Sequence, residues 1–289
     1  MESKRFSRRW HILSNIAKKS LKVGAAVVVG VVVYQRWKYN DKVLYASWTT
    51  NYEPSVKWDF NWDRREPSSL LPPPKGKTDS ELADYKKQLE NSTPTASRHL
   101  LLIRHGQYFD NAAVDKDRFL TALGRAQAEV TGMRLKDLDL PYTVLISSTM
   151  TRAIETAKLI HKHLPELEYK QDEILREGAP IPPEPPLGSW RPEQKQFFQD
   201  GARIESAFRK YFYRADPSQK EDTYEVIVCH ANVIRYFVCR ALQFPPEAWL
   251  RFALANGSIT HICIRPSGRV SVKSVGEHGH IKAQEISYN

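Results

Sequence analysis

The stretch HLLLIRHGQY, residues 99–108, joins an apolar run to a group of polar side chains. The run at 99–103 is short and continuously apolar, which is typical of a strand that is covered on both faces. Arg104, His105 and Gly106 follow it directly, and Gly106 would let the backbone approach a ligand closely. Because ligands bind outside the carboxyl ends of the strands in open α/β sheets, the stretch predicts a buried parallel strand that ends at a binding edge.

Strands and helices alternate along the chain after this stretch. The hydrophobic patterns predict further strands at 144–146, up to 174–175, at 225–229, at 258–265 and at 269–275. They predict helices at 121–138, with Thr121 as the cap, and at 150–164, 193–213 and 233–242. This alternation is typical of an α/β protein, and we expect a three-layer α/β/α sandwich with a mostly parallel sheet over 98–289.

Charged side chains follow the ends of four predicted strands. Besides Arg104 and His105, the pattern delivers Arg152 after the second strand, Glu177 after the third and His230 after the fourth. Each of them alone would be an ordinary loop or helix residue. Because buried charges are costly unless they are paired, their convergence at one edge of the sheet predicts an anionic ligand.

These residue types suit the hydrolysis of a phosphate monoester, which carries about two negative charges near neutral pH. Arg104 and Arg152 can hold the phosphate oxygens, and His230 can stabilise the charge that develops on them. His105 can attack phosphorus through a neutral ring nitrogen, since the ordinary pKa of histidine is about 6.5. Glu177 can protonate the leaving alkoxide and later deprotonate water.

Four blocks of sequence, in this order, resemble the histidine phosphatase superfamily in its phosphoglycerate-mutase-like branch. They are LIRHGQY at 102–108, LTALGRAQA at 120–128, SSTMTRAIETA at 147–157 and the late His230. The resemblance implies that His105 is a phosphohistidine nucleophile and that Glu177 is the acid and base. It also implies that Arg104, Arg152 and His230 form the phosphate pocket, and that the reaction needs no metal or other cofactor.

Three more segments resemble the mitochondrial serine/threonine-protein phosphatases of this superfamily: WDFNWD at 58–63, LREGAPIPPEPP at 175–186 and NVIRYFVCRA at 232–241. This resemblance implies an enzyme on a mitochondrial membrane that acts on phosphorylated proteins. Stress-activated MAP kinase kinase kinases are among the partners that it implies. It further implies docking between subunits of a homo-oligomer, through Trp58, Asp59, Asn61, Trp62 and Asp63. From its spacing alone, the aromatic segment could equally be buried against the chain's own body.

The basic charge of the chain is concentrated in its first 38 residues. Of the net charge of +10, +8 falls in 1–38, and the nearly neutral remainder argues against nucleic-acid binding. The uncharged run at 23–34 is shorter than the roughly 20 residues that a bilayer span needs. A short anchor, a secretory signal and a mitochondrial presequence all fit, and the acid-poor composition favours mitochondrial targeting with membrane attachment. We expect 39–97 to be an irregular linker that carries the WDFNWD segment.

The residues that flank His230 depart from the family pattern, which usually has a glycine on each side of this histidine. Cys229 and Ala231 stand in those positions. If either position required a positive φ, its side chain would displace His230 and lower the turnover. These two residues keep open the alternative of a weakly active scaffold. A second alternative, which does not depend on them, is a small-molecule phosphatase or phosphoglycerate mutase that uses the same pocket.

Overall fold

The computed structural model describes residues 53–74, 78–188 and 192–288 of the chain. The predicted targeting and anchor segment at 1–38 lies outside these residues. Trp58–Asn289 forms one compact unit. Within the described ranges, no helix combines the length and the apolar character that crossing a bilayer requires.

A sheet of six strands lies at the centre of the unit, counted over the described residues. The strands are β1 (Arg98–Arg104), β2 (Tyr142–Ser148), β3 (Tyr169–Asp172), β4 (Thr223–Cys229), β5 (Ile259–Ile264) and β6 (Val270–Glu277). Their spatial order is β3-β2-β4-β1-β5-β6. The first four strands run parallel, and β5 and β6 form an antiparallel hairpin beside β1. The predicted mostly parallel sheet is confirmed.

Helices cover both faces of this sheet. The described helices are α1 (Pro67–Leu70), α2 (Asp79–Ser92), α3 (Ala122–Leu138), α4 (Thr151–His161), α5 (Gln194–Tyr211) and α6 (Ala231–Ala241), of which α3 to α6 pack on the sheet and α1 and α2 bury no residue. Short 3₁₀ turns lie at Asp115–Asp117, Glu173–Leu175, Pro246–Arg251 and Ala283–Glu285. Thr121 caps α3 as predicted, because its side chain accepts a hydrogen bond from the Gly124 N–H at 3.0 Å.

The central strand β1 is buried on both faces, as its continuous apolar sequence predicts. Leu100 and Leu102 point into one apolar cluster, which includes side chains of α5 and α6. Leu101 and Ile103 point into a second cluster, which includes side chains of α3 and α4. Since successive side chains of a strand point to opposite faces, this alternation places one helical layer on each side of the sheet.

The third strand ends earlier than the sequence pattern predicts. β3 ends at Asp172, and Ile174 and Leu175 lie in a 3₁₀ turn instead of the strand. The Asp172 carboxylate accepts a hydrogen bond from the Ile174 N–H at 3.3 Å. Such a local bond to the backbone offers the chain an alternative to the sheet ladder, and it starts the turn that leads to Glu177.

The WDFNWD segment at 58–63 packs against the chain's own body. Trp58 and Trp62 lie against the apolar cluster that includes α5 and α6. The Trp62 indole N–H donates to the Gly268 carbonyl at 2.7 Å. Asp63 forms an ion pair with Arg214 at 2.9 Å, in which the two side chains are 0% and 2% exposed. The spacing left two interpretations open, which are burial against the chain's own body and docking between subunits. In this structure the segment is buried against its own chain.

Candidate active site

The register of the two central strands places the two histidines side by side. β1 and β4 are parallel, with Arg104 opposite Cys229, so the next residue of each strand is a histidine. The His105 N–H donates to the Cys229 carbonyl at 3.0 Å. The imidazole centroids of His105 and His230 lie 5.1 Å apart, and the residues are 2% and 0% exposed. The predicted convergence of these residues at one edge is present.

The hydrogen bonds of His105 select one tautomer of its ring. Its Nδ1 lies 2.8 Å from the Gly106 carbonyl oxygen. A carbonyl only accepts, so Nδ1 carries the proton and Nε2 keeps its lone pair. Nε2 faces Arg152, whose Nε donates to it at 3.2 Å. The nitrogen that is available for attack on phosphorus is therefore held beside a guanidinium that can bind phosphate oxygens.

Both imidazoles are neutral at neutral pH. Burial lowers the pKa of His105 well below its ordinary value, and the charges of Arg152 and Arg104 lower it further. Burial also lowers the pKa of His230 well below its ordinary value, with a second contribution from Arg152. Desolvation disfavours the charged imidazolium, and nearby cations do the same. His105 is therefore in the nucleophilic form over the whole neutral range.

Two buried guanidiniums lie at this edge, and other groups hold each of them in place. Arg104 is 6% exposed, and its Nη1 donates to the carbonyls of Leu254 at 2.6 Å and Tyr288 at 3.1 Å. Burial lowers the pKa of Arg104 to about 10, so it stays charged at neutral pH. Arg152 is 3% exposed, and it pairs with Asp115 at 3.4 Å. Two fixed cations in one buried site suit a dianionic ligand.

Glu177 follows the turn after β3 and enters the same site. Burial raises the pKa of its carboxyl above the ordinary value, although Arg152 and Arg104 act in the opposite direction. The Gly178 N–H donates to the carboxyl at 3.2 Å, and Arg203 donates to the Glu177 carbonyl at 3.0 Å. A carboxyl with a raised pKa that lies beside two guanidiniums can carry a proton to a leaving group and take one from water.

His230 contacts the last residue of β2 through one ring nitrogen, and its other ring nitrogen has no hydrogen-bond partner among the described residues. Its Nε2 lies 2.8 Å from Ser148 Oγ. Its Nδ1 is buried and makes no hydrogen bond to any described residue. Buried polar atoms in native sites normally have partners, so Nδ1 is placed to meet a ligand oxygen.

The residues that flank His230 fit their positions without strain. Cys229 is the last residue of β4, and Ala231 is the first residue of α6. Neither is among the described residues with a positive φ. The condition under which their side chains would displace His230 is therefore absent.

Gly106 and Gly124 allow the loop after β1 to contact the first turn of α3. A Cβ atom at Gly106 would lie 2.3 Å from the Gly124 carbonyl oxygen. A Cβ atom at Gly124 would lie 1.8 Å from the Gln107 carbonyl oxygen. The sequence pattern suggested close approach of a ligand at Gly106, whereas the structure shows close approach of a helix.

Several residues that support the site could not be identified from the sequence patterns. Tyr108 packs edge-on against His105 with ring centroids 5.1 Å apart, and the Arg152 guanidinium lies 4.5 Å from its ring centroid. Asp115 accepts from the Thr151 N–H at 3.1 Å and pairs with Arg152. Tyr108 stands inside the stretch that predicts the fold, but no pattern marks Asp115, which starts a short 3₁₀ turn. Across the described ranges, no three His, Cys, Asp or Glu side chains are grouped as ligands for a metal ion.

Comparison with known proteins shows the family of the chain. Residues 100–180 and 185–276 match the family described as the histidine phosphatase superfamily, branch 1. The human serine/threonine-protein phosphatase PGAM5, mitochondrial, is 53% identical over 230 residues, which cover 80% of each chain. The mouse protein of the same name is 51% identical over 241 residues, which cover 83% of this chain and 84% of the mouse protein. The Drosophila persimilis relative is 47% identical over 268 residues, which cover 89% of this chain and 92% of the fly protein.

A solved structure shares the fold. Bacillus stearothermophilus YhfR superposes with a TM-score of 0.51 at 24% identity. The superposition covers 64% of this chain and 100% of the bacterial chain. At this identity, the likeness concerns the fold alone.

Proposed function

This chain belongs to branch 1 of the histidine phosphatase superfamily, and we propose that it hydrolyses phosphoserine and phosphothreonine in proteins through a phosphohistidine on His105. The observation that carries the proposal is the buried, neutral His105, whose Nε2 faces the Arg152 guanidinium at 3.2 Å. The names of the human, mouse and fly relatives supply the substrate class.

The first half of the reaction transfers the phosphoryl group to the enzyme. Arg104 and Arg152 bind the phosphate oxygens and hold phosphorus in line with His105. A bond forms between Nε2 and phosphorus while the bond from phosphorus to the serine or threonine oxygen breaks. Glu177 gives its proton to that leaving oxygen, and His230 stabilises the charge on the equatorial oxygens.

The second half releases inorganic phosphate. A water molecule takes the place of the released hydroxyl, and the ionised Glu177 removes a proton from it. The water oxygen attacks phosphorus as the bond to His105 Nε2 breaks. The nitrogen regains its lone pair, and the proton taken from water returns Glu177 to its protonated form.

We extend the proposal to the location and assembly of the protein. Mitochondrial location is supported by the names of the three relatives and by the basic, acid-poor composition of 1–38. Attachment to a mitochondrial membrane through 1–38 is part of the proposal. So is a homo-oligomer in which copies exchange the WDFNWD segment, so that it occupies on a neighbouring copy the position that it occupies here on its own chain, with phosphorylated kinases as substrates.

The test of the proposed reaction is the chemical nature of the phosphoenzyme. We expect the wild-type chain, mixed with a ³²P-labelled phosphoserine peptide, to acquire an acid-labile, base-stable label. His105→Ala should acquire none and should lose roughly 10³-fold or more in turnover, because the nucleophile is gone. His161→Ala, whose ring lies against the Leu167 carbonyl, is the matched control and should behave as wild type.

Two results would contradict the proposed reaction: an acid-stable label, or a label that persists in His105→Ala. Parallel assays with an aryl phosphate and with phosphoglycerates test the alternatives. Activity confined to the small phosphates would favour the small-molecule phosphatase or mutase. A wild-type chain without activity on any of these substrates would favour the scaffold.

A further inference from the structure

The segment 283–288 contacts Arg104, one of the two arginines at the phosphate-binding edge of the sheet. The Tyr288 carbonyl accepts a hydrogen bond from Arg104 Nη1 at 3.1 Å, beside the bond to the Leu254 carbonyl at 2.6 Å. Two carbonyls from separate parts of the chain therefore fix the direction of Nη1. Because a guanidinium is a rigid plane, they also fix the orientation of the whole group.

Asn256 connects this segment to the loop that carries the nucleophile, residues 105–107, which we call the nucleophile loop. It is 0% exposed. Its Nδ2 donates to the His105 carbonyl at 3.1 Å. Its backbone N–H donates to the Ser287 carbonyl at 2.9 Å, and its Oδ1 accepts from the Ser287 hydroxyl at 2.9 Å. One face of the nucleophile loop is thus tied to Ser287 through a single buried amide.

Gln127 makes the corresponding connection from the other side of the loop. It lies on α3 and is also 0% exposed. Its Oε1 accepts from the Gln107 N–H at 2.9 Å. Its Nε2 donates to the Glu285 carbonyl at 2.7 Å and to Ser287 Oγ at 2.9 Å. The second face of the loop is therefore tied to the same hydroxyl.

We propose that Ser287 is a positioning residue for phosphoryl transfer, an inference that rests on the proposed function. Its hydroxyl accepts a hydrogen bond from Gln127 Nε2 and donates its single proton to Asn256 Oδ1. The two amides reach residues on either side of Gly106, and Tyr288, the residue after Ser287, supplies a carbonyl that orients Arg104. Ser287 thereby sets the nucleophile and the phosphate-binding guanidinium relative to each other.

The loss of this hydroxyl should affect catalysis more than folding. In Ser287→Ala, the buried Asn256 Oδ1 loses its donor, and Gln127 Nε2 keeps only the Glu285 carbonyl. The loop at 105–107 can then shift relative to Arg104. Because a displacement of about 1 Å at a reacting group lowers rates by up to roughly 10²-fold, we expect kcat to fall about tenfold or more.

The experiment compares Ser287→Ala, Ser287→Thr and the matched control Gln284→Ala, which changes an exposed residue of the same segment. We measure the rate of phosphoenzyme formation from an aryl phosphate, the inhibition constant of inorganic phosphate and the thermal midpoint. Ser287→Ala should slow phosphoenzyme formation and weaken inhibition by phosphate at a temperature where it is fully folded. Ser287→Thr, which keeps the hydroxyl, should restore both, and Gln284→Ala should match wild type.

The inference is wrong if Ser287→Ala forms the phosphoenzyme at the wild-type rate. It is equally wrong if the loss of rate follows the loss of folded protein while the inhibition constant stays unchanged, since that result indicates a structural role alone. An inactive wild-type chain would instead contradict the proposed function. An active wild type with an equally active Ser287→Ala would contradict only the role of Ser287.

Discussion

At the scale of single residues, burial turns common side chains into a nucleophile and an acid. His105 and His230 are neutral because desolvation lowers the pKa of both rings, and the two arginines act in the same direction. Glu177 is shifted the opposite way, because the same desolvation raises the pKa of a carboxyl. A neutral His105 imidazole and a protonated Glu177 carboxyl can therefore coexist in one site at the same pH.

The role of Glu177 predicts an alkaline limb in the pH profile of kcat. The carboxyl can protonate the leaving oxygen only below its raised folded pKa, so turnover of a phosphoserine peptide should fall as the pH rises through that pKa. The acid limb of His105 should lie well below pH 6.5, because its pKa is lowered. In Glu177→Gln, turnover of the peptide should fall roughly 10²-fold and lose its alkaline limb.

An aryl phosphate separates the two duties of Glu177. A nitrophenolate leaves without a proton, so Glu177→Gln should still form the phosphoenzyme from nitrophenyl phosphate. The release of phosphate still needs a base, so the acid-labile label should accumulate in this variant. Glu184→Gln, at an exposed position of the following loop, is the control and should show neither effect. A variant that hydrolyses the phosphopeptide at the wild-type rate would exclude Glu177 as the acid.

At the scale of elements, the first turn of α3 forms one wall of the nucleophile loop. Gly124 contacts this loop with backbone against backbone, and Gln127 binds the Gln107 N–H from the next turn of the same helix. The apolar pattern of α3 explains its contact with the sheet. Gly124 explains how close the helix can come to the site.

Gly124→Ala tests whether this close approach outweighs helix propensity. Alanine is favoured over glycine inside a helix by about 1 kcal/mol, so propensity alone predicts a more stable protein. The added Cβ would lie 1.8 Å from the Gln107 carbonyl oxygen, which belongs to the backbone and cannot rotate away. We expect the free energy of unfolding, measured with denaturant, to fall by about 1–3 kcal/mol.

Ala126→Gly, at an exposed position of α3, is the reference for Gly124→Ala. It reports the effect of propensity without contact and should lower the free energy of unfolding by about 1 kcal/mol. A stabilised Gly124→Ala protein would mean that the helix and the loop separate freely.

The sequence could predict what depends on local pattern, and it could not predict contacts that depend on the return of a distant segment to the site. Apolar runs and the Thr121 cap gave the strands and α3, and strand ends gave Arg104, His105, Arg152, Glu177 and His230 as neighbours. Asn256 and Ser287 stand in polar segments that carry no periodicity. Their contacts exist because the chain returns to the site after the β5–β6 hairpin, and no local pattern encodes that return.

At the scale of the whole molecule, the WDFNWD segment extends the folded unit beyond the predicted domain boundary at residue 98. The Asp63 carboxylate accepts hydrogen bonds from the backbone and the guanidinium of Arg214, and Arg214 also donates to the Phe60 carbonyl. A buried arginine needs such partners, because an unpaired buried charge is strongly unfavourable. The body of the protein therefore depends on the segment for its own stability.

Removing the Asp63 carboxylate alone should lower the free energy of unfolding more than removing both charges of the Asp63–Arg214 pair. Asp63→Ala leaves the Arg214 guanidinium buried and unpaired, and we expect the free energy of unfolding to fall by about 3–5 kcal/mol. The double variant Asp63→Leu with Arg214→Met removes both charges and should recover much of that loss. Asp84→Ala, at an exposed position on α2, is the control and should stay within about 0.5 kcal/mol of wild type.

The same variants distinguish docking on the same chain from docking on a neighbouring copy. If the segment binds its own chain, the deficit of Asp63→Ala should be the same over a roughly hundredfold range of protein concentration. If the segment exchanges between copies, wild type should gain stability as the concentration rises, and Asp63→Ala should lose that gain. Unfolding of Asp63→Ala at the wild-type midpoint at every concentration would show that the buried pair supports neither arrangement.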